Sequence, residues 1–258
     1  MSDFLSNLFS LCLLNLFLIG FVLQFQKSLQ RLSMSTILDA IINRSSKRAF
    51  LPKPVPLEIQ EKILEAAAMT PSGANMQPWI TYAVSNQEIL KNIGDAIIQK
   101  MQSGVAHEQF IQYYPLNWKP IYKKRRLETG VGLYELMGVD RKDVEKRTQM
   151  WHENFRWFGA QTVFFIFTDK AMIEGAQGAL LDCGAYMQSI MLAARAFGIE
   201  SCPQGSTTEF GKVIAEVLEV PENLALLYSI VLGYEDKDAK INTYRPQRVP
   251  LSESVVFL

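Results

Sequence analysis

The densest group of ligand-binding side chains is the segment R-S-S-K-R at residues 44–48. It places Arg44 and Arg48 four positions apart, with two serines and a lysine between them. Guanidinium groups carry fixed pairs of N–H donors, which suit phosphate oxygens and the polar edge of a planar heterocycle. The same composition also fits a solvated basic helix end, where cations are favoured by the helix dipole.

Three further segments present neutral or cationic donors at the boundaries of predicted elements. The turn T-P-S-G-A-N-M-Q-P-W (70–79) packs two amides, a hydroxyl and a tryptophan between two prolines and a glycine. S-C-P-Q-G-S-T-T-E-F (201–210) places a Pro-x-Gly turn before a helix start, whose backbone amides suit an electron-rich ring edge. Y-R-P-Q-R-V-P (244–250) holds two arginines in a loop stiffened by prolines. Each alone also fits a surface turn or a plain connection, but the four together predict a flavin mononucleotide (FMN) site.

Several common catalytic motifs are absent from the sequence. It contains neither G-x-S-x-G nor G-x-x-x-x-G-K-[ST], and T-G-V-G-L-Y-E-L-M-G (129–138) lacks the third glycine of a dinucleotide loop. Because that stretch follows a basic helical segment, a turn is predicted there. The only histidines, His107 and His152, disfavour a histidine-based triad and a zinc site. If the protein is an enzyme, its chemistry is therefore expected to come from a cofactor.

Charge and cysteine content exclude some partners and favour a reducing compartment. Lys plus Arg and Asp plus Glu both number 26, so no net field attracts nucleic acid or anionic membrane. Cys12, Cys183 and Cys202 show no C-x-x-C spacing and are predicted to be core or inert thiols in the cytoplasm.

The N-terminal residues 1–33 leave two interpretations open. The run 8–25 is nearly uncharged and about as long as a short membrane span. If it inserts, Lys27 and Arg31 would keep the rest of the chain in the cytoplasm. Alternatively, Met34 is the natural start, and 1–33 is an extension outside the domain.

The pattern from residue 34 to 258 predicts an α/β (α+β) domain with a mixed central sheet flanked by helices. The segment 104–160 is the least regular and the richest in aromatic residues. The segment 178–198 is apolar nearly all round, so it must be covered on most sides, by the sheet alone or by the sheet and a second subunit. Helices are predicted at 35–42, 57–69, 87–103, 178–198 and 207–220, and strands at 79–85, 162–168 and 225–234.

Four blocks, in order and spacing, make the chain resemble the FMN-dependent nitroreductase family, and the insert sequence 113–138 resembles that of its nitrobenzoate-reductase-like branch. They are R-S-S-K-R-A-F (44–50), P-S-G-A-N-M-Q-P-W (71–79), G-I-E-S-C-P-Q-G (198–205) and L-G-Y with R-P-Q-R-V-P-L (232–251). The resemblance covers 34–258 and departs from the family at Ser45, where many members carry a basic residue.

The resemblance implies a nitroreductase-type fold in an intertwined homodimer, with FMN held by residues of all four blocks. Arg48 would tune the flavin near its pyrimidine end, and the backbone of 203–205 would offer an amide to N5. The phosphate would go to Arg248 and, less surely, to Arg245, and no side chain would act as a nucleophile. The implied cofactor-binding residues are Arg44, Ser45, Ser46, Arg48, Pro71, Ser72, Asn75, Pro203, Gln204, Gly205, Arg245 and Arg248.

The resemblance further implies a ping-pong reaction, in which NAD(P)H reduces the flavin at N5 and a nitroaromatic or similar small aromatic acceptor then reoxidises it. Another flavin reaction on the same fold, such as dehalogenation or dehydrogenation, and a flavin-binding module without turnover are the alternatives. The insert 104–160 would form a lid and acceptor channel, although its aromatic residues also fit simple packing. The turn 71–79 would complete the active site of the partner subunit, with Gln77 and Trp79 bracing it against the sheet.

Overall fold

The computed structural model describes residues 37–104 and 109–258, and the chain divides after Arg44 into two units. In the first unit, residues 37–43 form a helix, α1, which overlaps the helix predicted at 35–42 and extends one residue beyond it. The apolar run 8–25 and Met34 lie outside the described residues. Within the described ranges, no helix combines the length and apolar character that a membrane crossing needs.

The second unit contains the helices and strands predicted from residue 57 onward, in the predicted order, together with three elements that were not predicted. Its strands are β1 (Ile80–Val84), β2 (Thr162–Asp169), β3 (Glu200–Gln204) and β4 (Leu224–Gly233). Its helices are α2 (Leu57–Ala68), α3 (Gln87–Gln102), α4 (Pro120–Leu136), α5 (Val144–His152), α6 (Gly178–Ala196) and α7 (Gly211–Val217).

The four strands form one antiparallel sheet in the order β1-β2-β4-β3, so the fold class is α+β as predicted. Parallel pairing in the described residues is limited to an isolated bridge between Ser46 and Ser201. Every residue of the central strand β4 is buried, because α3 and α7 cover one face of the sheet and α2 and α6 cover the other. Such two-sided burial explains why β2 and β4 are continuous apolar runs instead of alternating ones.

One strand was not predicted. Residues 201–204, interpreted as part of a turn, belong to β3, although Pro203 lacks the backbone N–H that a strand uses in its ladder. The position of β3 at the sheet edge removes the conflict, because an edge strand tolerates a residue without a backbone N–H. The predicted helix 207–220 also starts later, since Gly205–Phe210 is a 3₁₀ segment and α7 begins at Gly211.

The insert 104–160 is more regular than predicted, because its described residues include α4 and α5. The glycine-containing stretch 129–138 is helical through Leu136, so the predicted turn there is wrong. Gly138, with φ of 68°, follows that helix in the left-handed conformation that glycine adopts readily.

The predicted end of the long helix α6 is confirmed. Gly198 has φ of 69°, and its N–H donates to the Arg195 carbonyl at 3.1 Å, while the Ile199 N–H donates to the Ala194 carbonyl at 3.0 Å. This pair of bonds is a Schellman cap. Within α6, burial raises the pKa of the Cys183 thiol to about 12, as expected for an inert core cysteine.

A close helix contact at Gly94 generates a stability prediction. A Cβ on Gly94 would lie 2.2 Å from the Phe155 carbonyl oxygen, whereas a Cβ on Gly130 in α4 meets nothing within 4 Å. Gly94→Ala should therefore destabilise the fold by about 2 kcal/mol or more. Gly130→Ala should be neutral or stabilise it by up to about 1 kcal/mol. Urea unfolding of both variants tests this, and equal midpoints would contradict the close packing of α3.

Candidate active site

The segment 45–50 is fixed along the free edge of β3. Ser46 pairs with Ser201 in the parallel bridge, and the Lys47 N–H donates to the Ser201 carbonyl at 3.0 Å. Farther along, Phe50 forms an antiparallel bridge with Glu235, which follows β4. Two of the predicted donor segments, 44–48 and 198–205, are thus brought together from Ser45 onward. Arg44 belongs to the first unit, where its N–H donates to the Ala40 carbonyl at 3.1 Å.

A buried ion pair reinforces this edge. The Lys47 ammonium lies 2.5 Å from Glu235 Oε1 and 3.4 Å from the Asn242 carbonyl oxygen, and the lysine is only 4% exposed. A charge this deeply buried is stable only with a partner, because an isolated ammonium would lose its hydration without compensation. Lys47 therefore serves to hold the loop and is not positioned as a solvent-facing ligand donor.

The side chain of Asn242 connects the same segment to the loop after β4. Its Oδ1 accepts the Arg48 N–H at 2.7 Å, and its Nδ2 donates to the carbonyls of Ala49 and Asp236 at 2.8 and 2.9 Å. The residue is 3% exposed, so these bonds form largely out of water. The backbone around Arg48 is therefore set by a residue 194 positions away in sequence.

A second acid–base pair lies at the start of β3. Glu200 Oε1 accepts from the Arg195 guanidinium at 2.5 Å. Burial raises the pKa of the Glu200 carboxyl, while the positive charges of Arg195 and Lys47 act in the opposite direction. The edge therefore combines two cations and two carboxylates in the interior, and their mutual pairing keeps the neighbouring backbone in place.

Two buried hydroxyls at this edge test whether the site suits a polar ligand. Ser45 Oγ and Ser201 Oγ have no hydrogen-bond partner in the described part of the chain, although both are inaccessible to water. Buried hydroxyls in native proteins nearly always have a partner, so two unsatisfied ones on the paired segments 45–50 and β3 point to a ligand with polar atoms. The heterocycle edge and phosphate of FMN carry such atoms, and the residues present therefore fit that cofactor.

The residues at the end of β3 contribute backbone groups. The Gln204 side chain is fully engaged, since its Nε2 donates to the Asn154 carbonyl at 2.7 Å and its Oε1 accepts from Ser229 Oγ at 3.1 Å. It therefore braces the strand, which leaves the backbone of Pro203 and Gly205 for ligand contact. The Tyr113 ring lies so close to Gly205 that an added Cβ would be 2.6 Å from it, so this approach requires glycine. Burial, with a smaller effect of Tyr114, raises the pKa of Tyr113.

The two C-terminal arginines differ in their local contacts. The Arg245 guanidinium donates to the carbonyls of Asn242 and Tyr244, both at 3.0 Å, and so stabilises its own loop. The Arg248 guanidinium makes one long contact, 3.5 Å to the Pro246 carbonyl. The Arg248 guanidinium thus has fewer local contacts than the Arg245 guanidinium, and its phosphate role stays a prediction.

The turn 70–79 is a strained structure. Ala74, Asn75 and Gln77 have φ of 50°, 57° and 48°, in the left-handed region that non-glycine residues rarely adopt. The Ser72 hydroxyl accepts the Gln77 N–H at 2.9 Å and so braces the turn from inside. The Pro71 and Asn75 side chains are exposed.

Helix α6 holds this turn in place. The Gly73 N–H donates to Asp182 Oδ2 at 3.2 Å, and Thr70 Oγ1 donates to Ser189 Oγ at 2.6 Å. Trp79 stacks on Tyr186 with ring centroids 4.6 Å apart, so it braces the turn against a helix instead of the predicted sheet. The turn leads into β1, at the opposite edge of the sheet from β3. Three inter-strand spacings, or about 14 Å, separate those edges.

The family assignment comes from comparison with known proteins. The model of the family described as "Nitroreductase family" matches residues 41–234. The chain belongs to the nitroreductase family. It is 32% identical over 224 residues to a 4-nitrobenzoate reductase from Nocardioides sp. (strain LMS-CY), an alignment that covers 85% of this chain and 89% of the relative.

Solved nitroreductases share the fold. The FMN and NADPH-dependent nitroreductase NfnB from sphigopyxis sp. strain HMH superposes with a TM-score of 0.82 at 28% identity, covering 86% of this chain and 98% of that one. The FMN-dependent nitroreductase NfnB from Mycobacterium smegmatis, solved with NADPH, gives a TM-score of 0.79 at 28% identity, with 87% and 99% covered. The nitroreductase-type fold predicted from the four blocks is therefore confirmed.

Sequence analysis missed the residues that hold the candidate site together in this nitroreductase. Lys47 was noted only as a cation between two arginines, and Asn242 and Glu235 were not singled out. Only the position of Asn242 in a polar stretch just before Y-R-P-Q-R distinguished it, and that composition also fits an ordinary surface loop. Their partners lie 188 and 194 positions away, beyond the reach of any local pattern.

Asn242 provides a direct test of this arrangement. Asn242→Ala removes three buried hydrogen bonds and should lower the free energy of unfolding by about 2–4 kcal/mol. The matched control is Asn223→Ala, since the exposed Asn223 amide makes a hydrogen bond to Asp169. That change should cost about 1 kcal/mol or less. Urea unfolding followed by circular dichroism measures both, and equal losses would refute the role given to Asn242.

Proposed function

We propose that this nitroreductase-family protein is an FMN-dependent oxidoreductase that passes electrons from NAD(P)H to a nitroaromatic or similar acceptor by a ping-pong mechanism. The observation that carries the proposal is the β3 edge, where two unsatisfied buried hydroxyls lie among segments fixed by Lys47 and Asn242. The printed activities and ligands of the similar proteins support it. The buried thiols and balanced charge fit the cytoplasm.

The protein side chains bind and tune a cofactor in this proposal. FMN, when bound, would supply the redox chemistry that links NAD(P)H to the acceptor. Ser45 and Ser46 lie on the fixed loop at the β3 edge and provide polar contacts. The half-buried Arg48 guanidinium stabilises negative charge at the pyrimidine edge, an effect strengthened by its partial removal from water. Arg245 and Arg248 are the cations proposed for the phosphate, and Arg44 remains a proposed FMN-binding residue.

The other half of the predicted site requires a second subunit. Pro71, Ser72 and Asn75 lie on a turn held by α6 and leading to β1, across the sheet from β3, so no described contact joins them to Arg48. We therefore propose a homodimer in which the turn of one subunit completes the flavin site of the other. The exposed apolar side chains of Met76 and Leu181, 52% and 77% accessible, would lie in the dimer interface beside that turn.

The redox proposal predicts a specific set of spectra. Purified protein should be yellow, lose its flavin absorbance on adding NAD(P)H under argon, and regain it on adding 4-nitrobenzoate.

Arg48→Ala should lower FMN affinity or the reduction rate by about tenfold or more, since a charge-assisted contact disappears. The control is Lys53→Ala, which removes a cation five residues along the chain from Arg48. The Lys53 ammonium stacks on the Tyr234 ring. Bound flavin that neither nicotinamide reduces would favour a binding module over an enzyme.

The shared site predicts complementation between two inactive subunits. Arg48→Ala and Ser72→Ala/Asn75→Ala homodimers should each be impaired at both sites. In a mixed dimer from co-expression, one flavin site lacks Arg48 as well as Ser72 and Asn75. The other site has all three residues intact. Random pairing then restores activity to about a quarter of the wild-type value, because half of the dimers carry one good site. If both residues served the same subunit's flavin, no mixed dimer would contain an intact site, and the absence of restored activity would contradict the proposal.

A further inference from the structure

A cleft of about 420 Å³, here called the cationic cleft, lies beside helix α4 on a surface that the FMN assignment does not use. Its polar groups are four cations, Lys123, Arg126, Arg141 and Arg147, and neither Asp nor Glu lines it. Leu127 and Tyr134 supply apolar surface between these charges. The cleft therefore combines a positive rim with a flat, partly aromatic wall.

The cleft and the flavin-binding loop contact opposite faces of α4. Residues 123, 126, 127 and 134 repeat at helical spacing and so share one face. Gly132 lies about half a turn away, where the Tyr244 ring approaches within 2.9 Å of the position of an added Cβ. Tyr244 directly precedes Arg245, so one helix diameter, about 10 Å, separates the cleft from the arginine loop. A ligand in the cleft is thus close to that loop but not in it.

The charge pattern of α4 differs between the two faces. Away from the cleft, Lys124 pairs with Glu128 at 3.8 Å and Arg125 with Glu253 at 3.5 Å. Within the described residues, no carboxylate forms an ion pair with any of the four cleft cations. Four like charges around one concave surface repel each other, and binding an anion would relieve that repulsion.

The guanidinium groups of the cleft are held in place before any ligand binds. Arg147 stacks over the Tyr134 ring at 5.6 Å, and its Nη1 donates to the Arg141 carbonyl at 3.0 Å. Arg126 lies over the rings of Tyr114 and Trp118 at 4.9 and 5.2 Å. Guanidinium forks fixed in this way lose little rotamer freedom on binding phosphate oxygens.

We propose that the cationic cleft binds a phosphate monoester attached to a flat ring system, and specifically the adenosine 2′-phosphate end of NADPH. This assignment rests on the proposed function, and it makes NADPH the preferred electron donor. A dianionic phosphate matches four unpaired cations better than a single carboxylate does. A ligand that spans from the cleft to the flavin must be long, with its reactive ring at one end and its phosphate at the other. A dinucleotide meets this condition, whereas a small nitroaromatic acceptor does not.

The decisive experiment compares donor selectivity in two doubly substituted holoenzymes. Arg141→Gln/Arg147→Gln removes two cleft charges, whereas Lys124→Gln/Arg125→Gln removes two charges from α4 that do not line the cleft. At low ionic strength the cleft variant should raise KM for NADPH by about tenfold or more, and change KM for NADH less than about twofold. The control variant should keep the wild-type ratio of the two KM values. If the ratio of the KM for NADPH to the KM for NADH were the same in the wild type and the cleft variant, the assignment would be overturned.

Direct binding separates this inference from the redox proposal. Calorimetric titration of the holoenzyme with adenosine 2′,5′-bisphosphate should show tighter binding than with adenosine 5′-monophosphate, and the cleft variant should lose that preference. If the protein showed no turnover with either NADH or NADPH, the proposed function would be refuted. The titration would still test phosphate binding in the cleft. If the cleft variant loses bisphosphate binding but keeps its KM for NADPH, the cleft serves a separate phosphorylated ligand and the NADPH assignment is wrong. Equal affinity of the wild-type protein for the two probes would refute the proposed phosphate site itself.

Discussion

The buried amide of Asn242 is the interaction on which the geometry of the candidate site depends. Its side chain accepts the Arg48 N–H and donates to the Ala49 carbonyl. The backbone carbonyl of Asn242 accepts from the Lys47 and Arg245 side chains. Hydrogen bonds of this kind contribute only about 1 kcal/mol each in water-exposed settings, but a buried partner left unsatisfied costs about 1–3 kcal/mol. The loop that carries Arg48 is therefore fixed by tertiary contacts, and its own sequence would not give it a single conformation.

The sheet explains why the ligand-binding residues form two groups instead of one. Segment 45–50 lies against the outer edge of β3, whereas the turn 70–79 is fixed to α6 beside β1, with β2 and β4 between them. Because those two central strands are buried on both faces, the groups cannot approach each other within one subunit. In the proposed homodimer, the turn of one subunit would meet the β3 edge of the other, and the apolar surface that α6 leaves exposed at Leu181 would be covered.

The sequence was sufficient to predict the buried elements but not the contacts between distant segments. Apolar runs identified β2 and β4, helical spacing identified α2, α3 and α6, and Gly198 marked the end of α6. β3 was missed because Pro203 argues against a strand unless the strand is known to be at an edge, which depends on topology. α4 was missed because its few apolar residues form no buried stripe, so the 3.6-residue pattern is weak. The donor segments were found from their residue types, whereas Lys47 and Asn242 were recognisable only once their partners were known.

In the proposed site, three segments distant in sequence form one flavin-binding edge. Hydrogen–deuterium exchange of the apoprotein with and without FMN tests this arrangement, since exchange reports local opening segment by segment. FMN should slow exchange together in 45–50, 201–205 and 242–248, while β2, which is already buried, stays unchanged. Protection confined to other parts of the chain, or absent from two of these three segments, would contradict it.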